Sequence, residues 1–188
     1  SILENFRNST KTKFRGQFHL TKELTNHAVK TKKNSKERPF LLLLSHYAVH
    51  TPIEAPEEEV EEYSEIFRHY PKEFRLDESY DVLSKLRQNN PTYAAMVTAV
   101  DRSVGRIMET LDQQGLGDNT VIILTSDNGG KSTVTNKTFQ KMYAQKPDRR
   151  SVLSTSNLPL RHGKGWMYEG GIRVPLIINA QGVAPSVS

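Results

Sequence analysis

One long helical stripe and three short runs carry most of the apolar pattern of this chain, and polar stretches separate them. The stripe is the clearest signal. Tyr93, Met96, Val97, Val100, Val104, Ile107, Met108 and Leu111 recur at helical spacing, which predicts a helix from Pro91 with one face in the core. Gly115 stands where a helix C-terminal glycine belongs. Leu20 to Lys33 reads as an amphipathic helix, with Leu20, Leu24, Ala28 and Val29 on one face and Thr21 near the N-cap. Glu57 to Phe67 reads as a surface helix, and Arg68 to Pro91 shows no clear period.

The short runs read as strands. Phe40 to Leu44 and Val121 to Leu124 are unbroken apolar runs, the pattern of strands covered on both faces. The second lies within a strand predicted over Thr120 to Thr125, and a third strand is predicted over Arg173 to Asn179. Strand, helical crossover and strand predict an α/β fold with a parallel sheet flanked by helices. Gly129 to Asn157 is a polar stretch longer than compact domains usually carry without a use. No repeat or linker divides the 188 residues, which are enough for a real core.

Composition narrows the function classes. No apolar run reaches the roughly 20 residues that cross a bilayer. There is no cysteine, so disulfides, thiolate zinc sites and a cysteine nucleophile are excluded within these residues. The net charge of +5 is unevenly spread: ten bases against two acids from Arg7 to Arg38, seven acids and no base from Glu54 to Glu65, six bases and one acid from Lys131 to Arg150. Nucleic acid is not an expected partner, because the basic blocks lack interleaved aromatics and no recognised module is present.

Three islands lie at or near strand ends. Asp127-Asn128 follows the Val121–Leu124 run and precedes two glycines. A carboxylate beside an amide carbonyl offers hard oxygen ligands to Ca²⁺ or Mg²⁺, although Asp-Asn-Gly is also an ordinary turn sequence. In His46-Tyr47-Ala48-Val49-His50-Thr51-Pro52, a histidine past a strand can donate a proton or act as a ligand. His50 is the better placed of the two, since Thr51-Pro52 fixes the loop directly after it. Arg161-His162-Gly163-Lys164-Gly165 sets a compact positive charge between glycines, which let the backbone approach an anion. A proton donor, two metal ligands and an anion-holding lysine form a natural set for cleaving a charged ester.

Three runs, PFLLLLSHYAVHTPIEAP, YAAMVTAVDRSVGRIMETLDQQGLGDNTVIILTSDNGG and SNLPLRHGKGWMYEGGIRVPLIINAQG, closely resemble the middle of a sulfatase of the arylsulfatase type, in the alkaline-phosphatase-like superfamily. The resemblance covers nearly all of Gln17 to Gly182 and is most specific in the third run. It implies an alkaline-phosphatase-like α/β fold, a large and mostly parallel sheet between helices. By resemblance, His50 contacts the sulfate and assists leaving-group departure. Asp127 and Asn128 are a second pair of calcium ligands, and Lys164 holds the sulfate and ester oxygens. The implied activity is hydrolysis of an aryl or carbohydrate sulfate ester, with Ca²⁺ or alternatively Mg²⁺, in a periplasmic, secreted or lysosomal setting.

The departures define a partial domain. Relatives make formylglycine from a Cys/Ser-x-Pro-x-Arg motif near their N-terminus, and this chain has none. Asn157-Leu158-Pro159-Leu160-Arg161 imitates the spacing, but asparagine cannot become formylglycine. The first aspartate pair of the calcium site and the C-terminal subdomain are also missing. Residues 1–188 are therefore expected to be the central part of a catalytic domain, inactive alone. The basic stretch 131–150 is expected either to line an entrance for a sulfated glycan or to be a solvated insertion. A phosphoesterase or phosphonate hydrolase of the same superfamily, and a degenerate binding protein without a nucleophile, remain the alternatives.

Overall fold

The computed structural model describes residues 16–33, 39–145 and 151–182. Helix α1 (Gly16–Lys33) and helix α2 (Glu57–Ile66) both pack on the long helix α3 (Pro91–Gln113). Asn90 caps α3 by accepting from the Tyr93 amide, and Pro91 occupies the first turn, where its missing N–H costs nothing. The helix ends as the sequence predicts, with Gly115 in the left-handed region at φ +67°.

The packing of α3 differs from its apolar stripe. Ala95, Met96, Ser103, Thr110 and Leu111 are buried, whereas Val97 remains 46% exposed. Small polar residues line the α1 contact: Thr25 Oγ1 donates to Ser103 Oγ at 2.7 Å, and Arg106 donates to Asn26 Oδ1 at 3.0 Å. Against α2, Tyr63 bonds Thr98 and Arg102 pairs with Glu59 at 2.6 Å. The helix thus buries a seam of small residues and leaves part of its predicted stripe half-covered.

Two small sheets accompany these helices. One has the order β1 (Phe74–Asp77), β2 (Val82–Lys85) and β4 (Thr133–Thr135); the other pairs β3 (Ile122–Thr125) with β5 (Leu176–Asn179). All these pairs are antiparallel. In β3–β5, Ile123 faces Ile178 and Thr125 faces Leu176. The aperiodic segment before Pro91 is therefore a hairpin. The polar stretch after Gly129 is not structureless, since it holds β4 and helix α4 (Asn136–Gln145), anchored by Phe139 against Phe74 with ring centroids 4.8 Å apart.

Three strand expectations are corrected. Phe40 to Leu44 forms no ladder among the described residues, so the predicted parallel pair with Thr120–Thr125 is not made. Its leucines alternate instead: Leu41 and Leu43 are 95% and 86% exposed, while Leu42 and Leu44 are half-buried. That is the period of an extended chain covered on one side. Nor is β3 covered on both faces, because Ile123 is 60% exposed. The third strand begins at Leu176 rather than Arg173, directly after Pro175, whose nitrogen has no hydrogen to give a ladder.

Candidate active site

Strand β3 runs into the turn Ser126-Asp127-Asn128-Gly129-Gly130. Ser126 Oγ donates to Asn128 O at 3.0 Å, and Asn128 Nδ2 donates to Gly129 O at 3.0 Å. The second bond engages the nitrogen end of the amide, the orientation in which its oxygen is the end left to face a cation. Asp127 is exposed and Asn128 half-buried.

Backbone contacts seat this turn on the lysine loop. Gly129 N donates to Gly171 O at 2.9 Å, and Lys164 N donates to Gly130 O at 3.0 Å. Only glycine permits this approach. A Cβ on Gly129 would lie 1.9 Å from Gly170 O, and one on Gly163 would lie 2.3 Å from Gly130 O. Asn157 closes the seam from one side. Its Nδ2 group is shared among Gly130 O at 2.8 Å, His162 O and Gly170 O at 3.0 Å, and Ser132 Oγ at 3.1 Å. The half-buried Lys164 therefore has its main chain one hydrogen bond from the Asp127–Asn128 turn.

A second set of contacts braces the lysine loop against β1. Arg161 pairs with Asp77 at 3.1 Å and lies over the Tyr168 ring at 4.1 Å. Desolvation alone would raise the Asp77 carboxyl, but hydrogen bonds from Arg161 and the Ser79 amide outweigh it and hold the group below the usual carboxylate range. The buried His162 ring stacks on Trp166 at 4.4 Å, and Trp166 Nε1 donates to Thr133 Oγ1 at 3.1 Å. Burial first, then the Arg161 charge, pushes His162 below its ordinary value against the pull of Asp77. Its Nε2 lies 3.4 Å from Asp77 Oδ2 without hydrogen-bond alignment, so this contact is electrostatic only.

His50 stands in a loop of its own. Its Nδ1 is 2.8 Å from the Thr51 carbonyl, its amide donates to Tyr47 O, and its ring lies 5.4 Å from that of Tyr47. A carbonyl can only accept, so Nδ1 carries the hydrogen of this contact and Nε2 is the ring nitrogen outside it. These contacts stay within the loop and do not bond His50 to the turn or to Lys164. His46 is different, with Nε2 3.0 Å from Ser103 Oγ on α3 and burial holding its pKa down. It ties the loop to the helix.

The sequence islands thus become one joined pair, Asp127–Asn128 with Lys164, and one separate loop. Asp127 and Asn128 offer the right oxygen chemistry for a hard cation. Among the described residues no cluster of three or more His, Cys, Asp or Glu completes a metal site, and Ca²⁺ takes about six to eight oxygens. The pair fits a share of such a site. Sequence reasoning missed Asp77, which carries no local signal. It noticed Asn157 only for its spacing, although an amide just before Pro159-Leu160-Arg161 could have marked a loop-locking residue.

Comparison with known proteins identifies the family. The Sulfatase family model matches residues 2–188. A sulfatase of Formosa agariphila is 32% identical over 175 residues, covering 88% of this chain and 25% of that protein. Mouse arylsulfatase J is 30% identical over 136 residues, covering 72% of this chain and 16% of that protein. The solved structure of Ps i-CgsB in complex with k-i-k-neocarrahexaose superposes with a TM-score of 0.60 at 30% identity, covering 86% of this chain and 28% of that one. The chain spans about a quarter or less of the curated relatives named here. Its fold class is the alkaline-phosphatase-like α/β class of these neighbours, present as a partial domain with two small sheets. Likeness along almost the whole sequence leads to one assignment: this chain belongs to the sulfatase family.

Proposed function

We propose that the complete protein hydrolyses sulfuric esters, that a sulfated glycan is its substrate, and that residues 1–188 are the central part of its catalytic domain. The observation that carries this reading is the backbone seam that brings Lys164 to the Asp127–Asn128 turn. Lys164 supplies a compact positive charge to the sulfate and ester oxygens. Asp127 and Asn128 would supply part of the oxygen ligand set of a Ca²⁺ or Mg²⁺ ion, which would add charge stabilisation at the same oxygens. His50, protonated at Nε2 and oriented through the Nδ1–Thr51 bond, gives its proton to the departing alcohol oxygen. The nucleophile lies outside these residues, which hold no Cys/Ser-x-Pro-x-Arg motif.

Two features support a glycan. The similar Ps i-CgsB structure holds an oligosaccharide. Lys137 and Lys141 lie one helical turn apart on the exposed side of α4, where they would attract a polyanion. Arg149 and Arg150 of the same basic stretch fall outside the described residues.

The test compares sulfate, phosphate and phosphonate esters of one alcohol as substrates of the complete protein. Faster sulfate release supports the proposal. Preferred phosphate or phosphonate cleavage would move the assignment to phosphoryl chemistry, and no turnover of any ester would leave a binding protein. The 188 residues alone are expected to leave an aryl sulfate intact, so turnover by the purified segment would overturn the placement of the nucleophile elsewhere. His50→Gln in the complete protein is expected to lower kcat about a hundredfold for an alkyl sulfate. The loss should be smaller for a nitrophenyl sulfate, whose leaving group needs no proton. Equal losses for both esters would remove His50 from the proton-donor role.

A further inference from the structure

Between the first turns of α3 and residues 154–157 lies a cavity of about 580 Å³. None of its fourteen lining residues is charged, in a chain where 25% of residues are Asp, Glu, Lys or Arg. Amides and hydroxyls of Gln88, Asn89, Ser154 and Thr155 alternate with the rings of Tyr63 and Tyr93. Asn89 is buried, its Nδ2 donates to Pro71 O at 2.9 Å, and its Oδ1 has no hydrogen-bond partner. A buried amide oxygen left unpaired is costly. Burial also pushes the Tyr93 phenol up.

The cavity shares two residues with the seam described above. Gly130 and Asn157 line it, and both belong to the seam that positions Lys164: Gly130 O accepts from Lys164 N at 3.0 Å and from Asn157 Nδ2 at 2.8 Å. An occupant would therefore lie against the seam that holds the Lys164 main chain. Neutral donors and acceptors with aromatic faces suit a sugar ring, whose hydroxyls bond the amides while its C–H face lies on a tyrosine. A carboxylate here would be desolvated without a cationic partner.

We propose that this cavity is the subsite for an uncharged sugar unit adjoining the sulfated one, so that the enzyme selects glycans in which a sulfated residue is flanked by a neutral residue rather than a uronate. The sulfated neighbour rests on the function proposed above; the neutral subsite rests on the cavity.

The test has two independent arms, both on the complete protein. In the first, calorimetry measures binding of a desulfated galactan hexasaccharide to the unaltered protein and to Ala94→Trp, which fills the cavity from α3. Val97→Trp, at the half-exposed rim, serves as a second variant that places no bulk in the core. Binding to the unaltered protein, weakened at least about tenfold in both variants, is expected. In the second arm, kcat/KM for a sulfated oligosaccharide with a neutral flanking unit is divided by that for one with a flanking uronate. The ratio is expected to exceed about ten and to fall toward one in both variants. Equal affinity across the three proteins, or no preference for the neutral flank, would overturn the subsite even if sulfate esters are cleaved. Neutral-saccharide binding that the variants abolish, in a protein that cleaves no sulfate ester, would uphold the subsite and remove the sulfatase function.

Discussion

Lys164→Ala in the complete protein is expected to lower kcat for a sulfate ester about a thousandfold, the upper range for losing one preorganised donor to a developing oxyanion. The reasoning starts from the main chain. The Lys164 amide is committed to Gly130 O, and the loop is pinned by Asn157 and by the Arg161–Asp77 pair. Truncating the side chain removes the charge and leaves that frame in place, so thermal unfolding should barely change. The loss should fall mainly on kcat, because charge on the sulfate and ester oxygens redistributes as the bond breaks. Arginine is not an equivalent replacement: its planar fork needs more room than an ammonium, and Lys164 is half-buried. An alanine variant with undiminished kcat would take Lys164 out of the reaction.

Gly129→Ala is expected to destabilise the complete protein by about 3 kcal/mol, the cost of overpacking where neighbours cannot yield. The added Cβ would meet Gly170 O at 1.9 Å, Gly170 C at 2.8 Å and Gly171 Cα at 3.2 Å. These are backbone atoms, so no side-chain rotation relieves the clash. Relief requires the seam to open, which breaks the bond from Gly129 N to Gly171 O and carries the Asp127–Asn128 turn away from Lys164. Activity should therefore fall together with stability. Gly105 is the internal control: inside α3, a Cβ there meets nothing within 4 Å. Gly105→Ala should be stabilising by about 0.5–1 kcal/mol through helix propensity. Denaturant unfolding of both variants checks the pair, and equal stability of the two would contradict the seam.

The contrast between these glycines shows what was readable in the sequence. Helix α3 was legible in its period, its proline start and its glycine stop, because those signals act over one turn. Phe40 to Leu44 was read as a buried strand from composition alone. Strand formation needs a neighbouring ladder, which no local pattern encodes, and the segment has none among the described residues. The Phe139, Met142 and Tyr143 spacing could have announced α4, but the surrounding lysines and glutamines masked a face that closes against Phe74 and the neighbouring strands β2 and β4. His50, Asp127, Asn128 and Lys164 stood out in the sequence as residue types suited to the chemistry proposed above. That two of the three islands share a seam was not, because it depends on Cβ-free backbone meeting backbone across 30 or more positions, as from Gly129 to Gly171.

The uncovered leucines and isoleucines have a practical consequence. Leu41, Leu43, Val121, Ile123, Leu176, Ile177 and Ile178 line extended segments open to water, and bare extended chain of that composition is a template for self-association. A recombinant product restricted to these 188 residues would be prone to clump. Lysine or glutamate at Leu41 and Leu43 would be the first remedy when it is produced as an isolated piece.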